Sequence, residues 1–218
     1  MPKASGIRPL ERRLREPALV LGAIAAAAWL APLAGRWTLT LQSVIGVVVG
    51  LAVVRSARMD GVAPSELGVR VDNLPGSLLA FLALTLLPLM AMWGLARGAH
   101  LRLGEVAAYL GWALFQQLGV VAAFWRHLRP GTGPWRSLWS ELGAAALAAG
   151  LFALAHAPNA RLMGLVFGAE LVWLVGFTRF RNLFALALAH SLAAIVVKHC
   201  LVPPWLPSMK VGLGYWRP

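Results

Sequence analysis

The sequence predicts an all-α, polytopic transmembrane bundle, and three observations predict it. Hydrophobic residues fill 59% of 218 positions, and charged residues only 13%, too few to cover the surface of a soluble domain of this length. Apolar runs of bilayer-spanning length recur along the chain, and short basic or Pro/Gly-rich connections separate them. The whole chain therefore reads as a single membrane domain.

Taken in order, the apolar runs predict about seven spans, with six to eight compatible: 17–34, 39–54, 74–95, 104–125, 138–155, 162–177 and 183–202. The second and sixth are short for a full crossing. The basic residues before the first run resemble a secretory leader, but the further runs argue for an uncleaved first span. Of the 20 Lys and Arg residues, 13 fall on the side holding the N-terminus, which makes that side cytoplasmic, as in a bacterial inner membrane protein. The net charge of +12 raises the question of nucleic acid, but residues such as Arg126, Arg129 and Arg136 sit at span ends and form no aromatic-interleaved stripe. Membrane lipid head groups are the expected partners, not nucleic acid. The lone Cys200 precludes an intrachain disulfide framework.

Trp37, Trp125, Trp135, Trp139 and Trp205 fall at span ends, where an indole gains from head-group depth. The segment 126–137, with Pro130, Gly131, Gly133 and Pro134, reads as a turn-rich connection. Gly164 and Gly168, four apart on one face of the sixth span, predict close approach of another helix.

Polar groups inside hydrocarbon are costly and therefore mark chemistry. Gln116 and Gln117 lie in the middle of the fourth span, His156 follows the fifth, Glu170 lies in the sixth and His190 in the seventh. Each has a plainer reading as interhelical glue or as an interfacial side chain. A carboxylate at Glu170 must be protonated, paired or wet, and an inward orientation toward His156 or His190 offers it a partner that lipid cannot. Together these residues predict one polar cavity within the bundle. Regular helices with the predicted ends put His156 at the far end of the fifth span and His190 about 10 Å from the cytoplasmic end of the seventh, so the two meet only if the ends differ or a helix breaks.

The segment Phe152-Ala-Leu-Ala-His156-Ala-Pro-Asn159, followed by Ala189-His190 near the last span, resembles two motifs of the CPBP family of CAAX-protease-like and bacteriocin-processing membrane proteins. The stretch Glu66-Leu-Gly-Val-Arg-Val-Asp resembles that family's upstream region, and the likeness covers about 66–200. It implies an intramembrane glutamic-type endopeptidase acting on a membrane-anchored peptide, without a cofactor. The implied catalytic positions are Gln116, Gln117, His156 and His190, with Phe152, Asn159 and Glu170 in support. Gln116 and Gln117 stand where the family has a Glu pair, Val121 where it has Arg and Ala194 where it has Asn. An amide cannot accept a proton from water, so Gln116 is no general base, and base work falls to His156, His190 or Glu170. Three alternatives stay open: a pseudoprotease that holds a peptide or lipid without cutting it, a zinc site of His156, His190 and Glu170, for which there is no His-Glu-x-x-His signature, and a transporter, for which there is no inverted repeat of spans.

Overall fold

The computed structural model describes residues 10–93, 103–129, 137–202 and 205–216, and among them there is no strand. Helix α1, Leu10–Ala25, runs on through a wide turn, Ala26–Leu30, and a tight one, Ala31–Trp37, into α2, Thr38–Met59. Gly35 breaks the path with φ 57° and ψ −118°, a conformation open to glycine because it lacks Cβ, and α1 packs back against α2. There follow α3, Leu74–Trp93; α4, Leu103–Gly119, which continues through wide-turn helix Val120–Trp125 into Arg126–Leu128; α5, Leu138–Leu154; α6, Ala160–Phe180; and α7, Leu183–Leu201.

Among the described residues, four helical stretches are long and apolar enough to cross a bilayer: Leu14–Met59, Leu103–Leu128, Ala160–Phe180 and Leu183–Leu201. The first is the stretch that folds back at Gly35. Apolar stretches Leu74–Met90 and Leu138–Leu154 are shorter. These lengths relocate the expected short segments: α2 and α6 have 22 and 21 residues, whereas α5 has 17. The reason is local. Arg55, Arg58 and Arg179 look like span ends in the sequence, but a helix carries its backbone ladder through an arginine, whose long stem reaches toward water.

α5 is Ala-rich on its inner face. Ala145, Ala148 and Ala149 are fully buried, letting neighbouring backbones approach, and the wide-turn segment Val120–Trp125 of α4 packs into that space with all six residues buried. Trp125 is thus a core residue at 5% exposure and not a head-group anchor, whereas Trp37, Trp139 and Trp205 are exposed. Trp135, Arg136 and the Pro130–Pro134 turn lie outside the described residues. Gly164 and Gly168 are exposed, and a Cβ on either would meet nothing within 4 Å, so they form no helix–helix seam. Gly50 of α2 serves close approach instead: a Cβ there would lie 2.8 Å from the Phe115 ring of α4.

Polar contacts gather at the two ends of the bundle. At one end Arg126 donates to Asp60 at 2.7 Å, to Ser56 at 3.2 Å and to Glu16 at 3.1 Å, tying α4 to α1 and α2. At 10% side-chain exposure Arg126 is an internal clamp and not the free lipid anchor expected of it. At the same end Asn182 caps α7 by accepting from Ala185 N at 3.0 Å, and donates to the Arg70 carbonyl at 3.0 Å and to Asn73 at 2.9 Å. The opposite end holds Glu105, which accepts from Lys198 at 2.8 Å and from His199 at 3.0 Å. It also holds the C-terminal segment, docked on the α5–α6 turn by the bond from Gly212 N to the Ala157 carbonyl at 2.7 Å.

Candidate functional site

Between these ends, near mid-depth, three side chains from three helices meet. Gln117 of α4 is fully buried, and its Nε2 donates to Glu170 Oε2 of α6 at 2.9 Å and to His190 Nδ1 of α7 at 2.9 Å. Glu170 is fully buried and His190 is 8% exposed. Glu170 faces inward, and its partner is Gln117, not either histidine: one amide nitrogen sits against both the carboxyl group and the imidazole. Among the described residues, the buried Gln117 Oε1 and Glu170 Oε1 find no hydrogen-bond partner.

His156 lies in the turn just after α5, and its Nδ1 is 2.9 Å from the Phe152 carbonyl one helical turn earlier. A carbonyl only accepts, so Nδ1 carries the proton and Nε2 of the neutral ring keeps its lone pair. His190 has the opposite arrangement. Its Nδ1 faces an amide N–H and must accept, so Nε2 carries the proton. Phe152 links the two rings, its centroid 5.0 Å from that of His156 and 5.9 Å from that of His190. The separation expected from regular spans is bridged by Phe152, one helical turn before His156, whose ring reaches His190.

Both imidazoles line a cavity of about 650 Å³, within the size range of small-ligand sites. α1 and α2 form one wall with Ile24, Gly46 and Gly50, and the facing wall carries Phe115, Gln116 and Trp173. Gln116 accepts from the Tyr109 hydroxyl at 3.2 Å and also lines the cavity, whereas Gln117 and Glu170 stand behind its wall. Asn159 is an architectural residue. It caps α6 by accepting from Leu162 N at 3.2 Å and holds the C-terminal segment by donating to the Ser208 carbonyl at 2.8 Å.

Sequence reasoning missed Trp173 and Tyr109. The Trp173 ring lies 5.4 Å from His190, and its Nε1 donates to Thr85 of α3 at 3.0 Å. The Tyr109 ring lies 6.0 Å from His190. Helical spacing was the available signal: Trp173 is three residues after Glu170 and Tyr109 two turns before Gln116, each on the same face as its partner. Among the described residues, no three His, Cys, Asp or Glu side chains stand close enough to hold a metal ion, and Gln117 binds both Glu170 and His190 of the zinc set considered from sequence.

No protein-family model, no curated protein and no solved structure matches this chain.

Proposed function

We propose that the chain is a seven-crossing membrane protein of the CPBP type, with its N-terminus in the cytoplasm of a bacterium, and that it hydrolyses membrane-anchored peptides within the bilayer. The sorting of polar clusters to two ends of an apolar bundle supports the seven crossings. One observation carries the chemical reading: two imidazoles of opposite tautomer line one cavity. His156 Nε2 accepts a proton from water as the oxygen attacks the scissile carbonyl. His190 Nε2–H and the Gln116 amide donate to the developing oxyanion, and His156 returns the proton to the leaving amine. Gln116 thus takes an electrophilic role in place of the base that the family likeness puts at that position.

The test is cleavage of a library of membrane-tethered peptides by the reconstituted full chain. His156→Ala should lower the rate about 10²–10⁴-fold, the usual contribution of a positioned acid–base group. No cleavage by the natural chain, together with no change in any cellular processing event on His156→Ala, would sink the proposal.

A second reading, a pseudoprotease that binds a peptide or lipid, is favoured by a separate observation: Glu170 does not line the cavity. Activity gained by Gln116→Glu where the natural chain has none would select that reading, because the scaffold would then lack only its base.

A further inference from the structure

We infer that Gln117 is a positioning residue whose side-chain amide turns end for end as Glu170 gains or loses a proton, and so sets which nitrogen of His190 carries its hydrogen. Gln117 Nε2 lies 2.9 Å from both Glu170 Oε2 and His190 Nδ1, so with the amide this way round both neighbours must accept. Glu170 is then a carboxylate, fully buried. Among the described residues, the titratable and charged groups nearest the trio do not neutralise it. From α4 there is Tyr109, from the turn after α5 His156, and from α7 Lys198, two turns beyond His190 and held by Glu105. α3 presents Thr85, already bonded to Trp173, which is uncharged. An ionised carboxylate buried without a cation is costly, so this arrangement has a strong reason to take up a proton.

The protonated acid cannot remain beside an N–H, because its hydroxyl needs an acceptor. An amide has nearly the same shape either way round, and turning it brings Oε1 to face both neighbours. Oε1 then accepts from the Glu170 O–H and from His190 Nδ1–H, and neither contact requires the helices to move. The protons balance. Two arrive by way of His190, which lines the cavity, one resting on Glu170 and one on His190 Nδ1, and one leaves from His190 Nε2, so the trio gains one in all while His190 keeps one. His190 Nε2 changes from a donor into a bare lone pair. While the amide N–H faces both groups, the imidazolium–carboxylate pair that a neighbouring Glu and His suggest is excluded, since an imidazolium Nδ1–H would meet the amide N–H head on.

The consequence for catalysis, a His190 that alternates between oxyanion donor and base, rests on the peptidase reading. The switch itself does not. The experiment is nitrogen NMR of the full chain, labelled at histidine and held in lipid nanodiscs, with the His190 signals identified by their loss in His190→Asn. Wild-type protein should show His190 protonated at Nε2 on the alkaline side and at Nδ1 on the acid side. Infrared spectra should show a buried carboxylic-acid carbonyl band appearing on the same acid limb. Glu170→Gln should abolish both the band and the acid dependence of the tautomer. A tautomer that ignores acidity in the wild type, or that changes identically in Glu170→Gln, overturns the inference whether or not the protein cleaves peptides. Absence of cleavage beside an intact switch overturns only the peptidase reading.

Discussion

Removing the Glu170 carboxyl group tests the buried trio directly. In Glu170→Leu, Gln117 loses one of the two acceptors of its amide nitrogen and has no water to replace it, because the side chain is fully buried. A stranded buried donor costs about 1–3 kcal/mol in proteins generally, and interhelical hydrogen bonds in membranes measure about 0.6 kcal/mol on average and about 1.7 at most. The expected loss is therefore about 1–2 kcal/mol, with Glu170→Gln closer to wild type because it still offers an acceptor. Gln117→Leu should be worse. It leaves Glu170 Oε2 unpartnered beside an Oε1 that already has no partner, and it removes the donor to His190. Adding Glu170→Leu to Gln117→Leu takes away the stranded acid, so the double variant should be more stable than Gln117→Leu alone, a non-additive recovery characteristic of contacting groups. The assay is reversible unfolding of the four proteins in one detergent or bicelle. A Glu170→Leu protein as stable as wild type, or a double variant no better than Gln117→Leu, would refute the reasoning.

Three further outcomes concern the end of the bundle that positions α6 and α7. Asn182→Ala removes a helix cap and two donated bonds from a fully buried side chain, and should lower stability by about 2–3 kcal/mol in the same unfolding assay. Gly68→Ala should cost about 2–4 kcal/mol: Gly68 sits at φ 78°, where an added Cβ is strained, and that Cβ would stand 2.8 Å from Leu183 N, which donates to the Gly68 carbonyl at 2.8 Å. In the connection before α3, the hydrogen bond from Arg70 holds the Asp72 carboxyl below the usual carboxylate range. A depressed folded-state value contributes stability above the unfolded value near about 3.9, and that contribution is lost as pH falls through the folded value. Asp72 should therefore titrate below its unfolded value when followed by carboxyl NMR, and Arg70→Ala should move its midpoint up.

Apolar helices of bilayer-spanning length were legible because hydrocarbon demands an unbroken apolar run wherever it meets a helix. Gln116, Gln117, Glu170 and His190 stood out for the same reason, as polar groups where polarity is costly. What the pattern did not carry was pairing. Nothing in the spacing of Gln117, Glu170 and His190 says that an amide would lie between an acid and an imidazole, because that depends on the rotation of three helices about their own axes. Arg126 was misread for a related cause. A basic residue at a span end has lipid phosphate and protein carboxylate as competing partners, and only the fold brings Glu16 and Asp60 within reach. Trp173 and Tyr109 were hidden by their apolar surroundings, where an aromatic is ordinary until a polar ring is found beside it.

Phe152 separates packing from positioning most cleanly. Its ring is 5% exposed and touches both imidazoles, whereas its neighbour Leu151 is half-buried and packs against the apolar core. Phe152→Ala should cost about 3–5 kcal/mol as a large-to-small core change, and Leu151→Ala about half as much, in line with its partial burial. Stability alone would leave a purely apolar role open. The deciding readout is the histidine spectrum. The bond from His156 Nδ1 goes to the Phe152 main-chain carbonyl and so survives the truncation, holding the His156 tautomer fixed. The ring that stands between the two imidazoles does not survive. His156 and His190 should therefore lose their narrow, single ring signals in Phe152→Ala and keep them in Leu151→Ala. Phe152→Leu, which restores most of the volume but no aromatic edge, should recover most of the stability and little of the ring order. If Phe152→Ala and Leu151→Ala disturb the imidazole signals equally, Phe152 is only filler between α5 and α7, and the two histidines are held by their hydrogen bonds alone.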